Sequence, residues 1–161
     1  MVSFRVFLRK TEIIFLSLKI VLGNAVYDNM QMMIMPDKEN LISECKAVGK
    51  ALNFEVQTAV DIGAGEIDVI WTKKDHPNLP AFKIGFLIHA TSGEVPIDFI
   101  TQNVAKAVIS VCDQVIFLVP DEAALRSVKG KITSMDSIGG MLQLKKYAHA
   151  ITPEELLGGI K

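Results

Sequence analysis

Two stretches decide the fold: Gly65-Glu66-Ile67-Asp68-Val69-Ile70-Trp71 and, after a connector, Phe82-Lys83-Ile84-Gly85-Phe86-Leu87-Ile88-His89-Ala90. The first is rich in β-branched and aromatic residues and alternates with period two, so Glu66 to Thr72 is expected to be a strand. Asp68 is an acid near its start. The second is apolar on both faces for most of its length, the pattern of a central strand covered on both sides. Between them, Lys73 to Pro80 holds Asp75, Pro77, Asn78 and Pro80 and reads as a loop.

Upstream, Phe54 to Ile62 alternates loosely, and Gly63-Ala64-Gly65 is a turn, so Phe54 to Thr72 reads as a hairpin. Before it, Asp37 is placed to cap a helix whose apolar stripe runs through Leu41, Cys45, Val48 and Leu52, with Glu44 at the edge of that stripe. Downstream, Pro96 suits the first turn of a helix, and Ile97, Ile100, Val104, Ala107, Val108 and Val111 give it an apolar face. Gln114 to Val119 is a fourth, buried strand. The third strand, this helix and the fourth strand form a βαβ crossover, which implies a parallel pair in a mixed sheet. Asp121 can cap a helix ending near Ile132. Residues 135 to 147 are ambiguous between helix and strand. Tyr147 to Ile151 is expected to be a last short strand, and Thr152-Pro153-Glu154-Glu155 is a capping box that opens a short helix.

At 161 residues the chain is expected to form one domain over 36–161, with 1–35 as an N-terminal extension of uncertain role. Ile13 to Leu22 is apolar but short for a membrane span and carries Lys19. Arg5, Arg9 and Lys10 resemble the start of a signal peptide, yet Glu12 and Lys19 interrupt the pattern. Met30, Met32, Met33 and Met35 crowd ahead of the first well-capped helix, so an upstream extension of the true start is one reading of the residues before them, beside a segment that covers the core or mediates dimerisation. The expectation is a cytoplasmic protein with no membrane partner. Net charge is -1, so no global field draws it to nucleic acid, and a nucleic-acid partner would be held by a local basic patch. Cys45 and Cys112 belong to no Cys/His cluster and are expected to be free, buried thiols. A homodimer is left open.

Two resemblances attach to these residues. Val60-Asp61-Ile62-Gly63-Ala64-Gly65 resembles the opening motif of S-adenosylmethionine-dependent methyltransferases, a Rossmann-like nucleotide-binding arrangement. That chemistry needs a helix to start directly after the glycines, so that backbone amides meet the cofactor. Glu66 to Trp71 has strand periodicity instead.

The order helix, hairpin, long third strand, helix and fourth strand, from about Asp37 to Val119, resembles the core of the restriction-endonuclease-like fold, the PD-(D/E)xK nuclease superfamily. The resemblance implies an α/β fold of three layers, α/β/α, with a mixed central sheet of about five strands. It also implies a metal-dependent phosphodiester hydrolase: an acid on the second strand binds Mg2+, and an acid and a lysine on the third strand complete the site. The metal activates water and stabilises charge building on phosphorus.

Carried onto this sequence, Asp68 matches the first acid and is the expected metal ligand. The third-strand acid position is Leu87 and the lysine position is His89. Leu87 cannot ligate a metal, so the site is expected to be degenerate. In an active Mg2+-dependent endonuclease, Glu66, which alternation places on the same face as Asp68, or Glu44 on the first helix would replace the lost carboxylate. His89 is the candidate general base. Thr91 and Ser92, with Lys129 and Lys131 in the locally basic later part, which also holds Lys145 and Lys146, are the candidates for phosphate contacts. For each of these the plain alternative is structural: a salt bridge, a solvated face, or a loop before a helix.

Overall fold

The computed structural model describes residues 37–139 and 143–158. The expectations for residues 1–35 lie outside the described residues. The elements run α1 (Lys38–Ala51), β1 (Glu55–Asp61), β2 (Glu66–Lys73), β3 (Phe82–Ile88), α2 (Ile97–Ile109), β4 (Gln114–Leu118), α3 (Glu122–Gly139), α4 (Leu144–Tyr147), β5 (Ala148–Ile151) and α5 (Pro153–Gly158). The five strands make one open sheet in the order β1-β2-β3-β4-β5. β1, β2 and β3 form an antiparallel meander, and β4 and β5 then add in parallel. Each parallel step needs a crossover, which α2 supplies for β3 to β4 and α3 with α4 for β4 to β5.

Local chemistry explains the element ends. The Asp37 carboxylate accepts the Asn40 amide at 2.8 Å and so caps α1. That helix closes with Asn53 in the left-handed region (φ 60°), which lets the Phe54 amide reach back to the Gly49 carbonyl at 2.9 Å. At the β1–β2 turn, Gly63 and Gly65 adopt φ of 76° and 128°, and the Ile62 amide donates to the Gly65 carbonyl. The capping box at Thr152 is formed from both sides: Thr152 N–H donates to Glu155 Oε2 at 3.0 Å, and Glu155 N–H to Thr152 Oγ1 at 3.3 Å.

Two apolar clusters flank the sheet. One joins Leu41, Cys45 and Val48 of α1, Leu52 just after it and Leu156 of α5 to Val69, Trp71, Ile84, Phe86, Ile88, Ile116 and Leu118. The other joins Ile100 and Ala107 of α2 and Leu125, Val128 and Ile132 of α3 to Ile67, Ile70, Leu87, Val115 and Phe117. The expected α/β fold with a mixed five-stranded sheet is therefore found. β3 ends at Ile88, two residues short of the expected Ala90, although the His89 amide still donates to the Leu118 carbonyl. α3 runs on to Gly139 instead of ending near Ile132, because Met135 continues its stripe against the second cluster. In the ambiguous stretch, Leu144 to Tyr147 is helical and residues 140–142 lie outside the described residues. No helix among the described residues is long and apolar enough to cross a membrane.

Candidate functional site around Asp68

Strict alternation would put residues 56, 58 and 60 of β1, and 67, 69 and 71 of β2, on one face each. The packing departs from this. Val56, Val69 and Trp71 pack into the α1 cluster, whereas Val60 and Ile67 pack into the α2/α3 cluster. The register stays constant across the slip: Thr58 pairs with Val69 and Val60 with Ile67. Between those pairs stand Ala59, held at φ 52°, and Asp68. Both strands thus change face at one point, and Asp68 sits on it.

The slip directs the Asp68 carboxylate toward α1 and β3, where it is buried. Its Oδ2 accepts the Ile88 backbone amide at 2.7 Å. Its Oδ1 lies 2.6 Å from the Lys38 ammonium, at the first position of α1. A buried carboxylate is costly without a counter-charge and donors. Here one backbone N–H and one ammonium provide both.

The other expected site residues do not form with it, among the described residues, a group of three able to hold a metal ion. Leu87 is 1% exposed and belongs to the cluster on the α2/α3 side. Glu66 is exposed at the mouth of the hairpin, where its backbone carbonyl accepts the Lys106 ammonium at 3.5 Å. Glu44 is half-buried on α1, its Oε2 is enclosed without a hydrogen-bond partner, and burial pushes its carboxyl pKa up. Among the described residues, no group of three or more His, Cys, Asp or Glu side chains is placed to hold a metal ion.

His89 turns the other way. Its ring lies 4.9 Å from the Phe99 ring of α2, which packs on the α2/α3 cluster, so its contacts and those of Asp68 lie on opposite faces of the sheet. Its Nε2 is enclosed without a hydrogen-bond partner, and burial lowers its pKa. A neutral imidazole suits a base, but its contacts lie across the sheet from those of Asp68.

The loop after β3 is tied to the start of α3. Ser92 Oγ donates to Asp121 Oδ2, and Asp121 Oδ1 accepts the Ala124 amide at 2.8 Å. Those bonds, the Ala124 amide foremost, hold the Asp121 carboxyl below its ordinary value. Thr91 is exposed. Lys131 is committed to local structure: its ammonium donates to Glu94 Oε1 at 2.9 Å, to the Val95 carbonyl and to Ser127 Oγ. Lys129 is exposed, as are Arg126 on the same helix and Lys145 and Lys146 on α4, which packs against α3. The exposed basic groups of α3 and α4 are therefore Arg126, whose Nε also donates to the Glu122 carbonyl at 3.3 Å, and Lys129, Lys145 and Lys146, while Lys131 is turned to Glu94 and Val95.

The glycine turn of β1–β2 leads into β2, paired antiparallel with β1 from Asp61↔Glu66 onward. No helix N-terminus follows Gly65, so the backbone amides a methyltransferase loop would aim at its cofactor are part of a hairpin.

Sequence reasoning missed Lys38. The available signal was its position: a cation in the first turn of a helix opposes the helix dipole and calls for a compensating partner. No protein-family model, curated protein or solved structure matches the chain.

Proposed function

We propose that the chain is a restriction-endonuclease-like domain that binds nucleic acid and has lost the third-strand carboxylate a phosphodiesterase needs. The observation that carries this reading is the combination of topology and site. A helix, an antiparallel three-strand meander and a parallel fourth strand succeed one another, with α1 packed on one face of the sheet and α2 and α3 on the other. The one buried acid of β2, Asp68, lies against the end of β3. In the restriction-endonuclease-like fold the metal ligand stands at the corresponding place on the second strand, and here the neighbouring position on β3 is the buried Leu87.

With one carboxylate and no third-strand acid, water activation by a held divalent ion has too few ligands among the described residues. Binding needs less. Arg126, Lys129, Lys145 and Lys146 place four cations on the α3–α4 surface, and their attraction for phosphates falls with salt.

The test is anisotropy of a labelled duplex across a salt series, with wild type and a Lys129→Glu/Lys145→Glu/Lys146→Glu variant, and a plasmid-nicking assay in Mg2+. The reading expects salt-dependent binding, a weaker affinity and shallower salt slope in the variant, and no nicking. Absence of binding at low salt would remove the binding role. Mg2+-dependent nicking abolished by Asp68→Ala would replace this reading with an active endonuclease.

A further inference from the structure

The restriction-endonuclease-like arrangement implies a divalent cation at Asp68, and the residues present do not fit one. Both carboxylate oxygens are engaged, Oδ1 by Lys38 and Oδ2 by the Ile88 amide. No second and third acidic, His or Cys side chain joins them among the described residues. We infer that Lys38 is a tethered substitute for that cation; the inference rests on the restriction-endonuclease-like reading.

The geometry carries it. Hard divalent ions sit roughly 2.0–2.6 Å from each ligand oxygen. The Lys38 ammonium is 2.6 Å from Oδ1, so ion and ammonium would occupy the same place. Lys38 stands where a helix N-terminus disfavours positive charge, and the buried Asp68 carboxylate offsets this together with Asp37 and Glu39 of the same turn. The pair opens to solvent on the lysine side only, since the Lys38 side chain is half-exposed. A lysine brings one charge and three donors, and it holds no water to be activated. It therefore performs the cation's electrostatic work, keeping Asp68 buried and α1 fastened to β2 and β3, without supplying the chemistry. The fold is then independent of metal by construction.

Thermal denaturation of the full chain tests this, with wild type, Lys38→Ala and Lys38→Ala/Asp68→Asn each melted in chelator and in millimolar Mn2+. Wild type is expected to melt at the same temperature in both. Lys38→Ala should melt lower in chelator, by about 3–8 °C, and recover part of that loss in millimolar Mn2+, because removing the ammonium opens Asp68 Oδ1 to a weakly held ion, one too sparsely ligated to activate water. The double variant should ignore Mn2+. If Lys38→Ala fails to fold, Lys38→Gln takes its place. A Mn2+-dependent rise in the wild type, or no Mn2+ response in the single variant, would overturn the substitution. Neither result depends on nucleic-acid binding, so failure of the binding experiment is read separately.

Discussion

Lys38 Nζ and Asp68 Oδ1 lie 2.6 Å apart, but their side chains are 52% and 7% exposed, so the pair is buried from one side only. The two halves are not equivalent. Lys38→Met leaves a buried carboxylate with a single N–H donor, which should cost about 1–3 kcal/mol after allowing for the exposure of the lysine. Asp68→Asn keeps an acceptor for the Ile88 amide and leaves Lys38 free to reach water, at a cost under about 1 kcal/mol. The double variant should recover most of the loss seen in Lys38→Met. Urea denaturation of the four proteins measures this coupling. Equal single costs and no recovery would show that Lys38 does not neutralise Asp68.

Gly49 is where α1 approaches the sheet with no room for a side chain. A Cβ there would stand 2.5 Å from Trp71 Nε1 and 2.8 Å from Val56 Cγ2. Trp71 is fully buried and packed against Phe54 and Phe86, with ring centroids 5.3 and 4.3 Å away, so it has little room to retreat. Gly49→Ala should therefore lower stability by about 1–3 kcal/mol, read as a lower urea midpoint with an unchanged slope. An unchanged midpoint would mean that α1 is not seated on Trp71.

Two helices end alike with different residues. α1 uses Asn53 at φ 60°, and α2 uses Val111 at φ 54°, where the Cys112 amide closes back on the Ala107 carbonyl. A left-handed conformation suits asparagine and strains a β-branched residue by roughly 1–2 kcal/mol. Val111 is 76% exposed, so burial offsets little of that strain. Val111→Asn should stabilise the chain by about 1 kcal/mol, and Asn53→Val should destabilise it by a similar amount. Thermal melts of both variants check the pair of signs.

Glu44 gives a pH-dependent prediction. Burial raises its folded pKa above the unfolded value near 4.5, so the fold favours the protonated acid. That favourable contribution is complete below the unfolded pKa and is lost as pH rises through the raised folded value. Glu44→Gln removes the charged form, so it should raise the melting temperature at neutral pH by about 1–3 °C and change little at pH near 4. A gain that persisted undiminished at acid pH would point to a cause other than the buried charge.

The parts of the fold that follow from periodicity were legible. The hairpin, the parallel β3–α2–β4 crossover and the Thr152 capping box each rest on local spacing that long-range packing did not overrule. Asp68 was legible as an acid of β2 and Leu87 as an apolar residue of β3, and both are buried. Lys38 was not, because its partner lies on another element and an N-terminal helix lysine ordinarily reads as solvated. The slip at Ala59 and Asp68 was hidden for a related reason. Regular alternation keeps each strand's residues on fixed faces, and only packing against two different helical layers exposes its breakdown. The same packing separates His89 from Asp68, which a regular register alone does not predict.

The central claim is that an ammonium, not a divalent ion, neutralises Asp68. Calorimetric titration of Mn2+ into wild type and Asp68→Ala tests it most directly. The account predicts that both give only heats of dilution. A saturable one-site heat in the wild type that disappears in Asp68→Ala would contradict it.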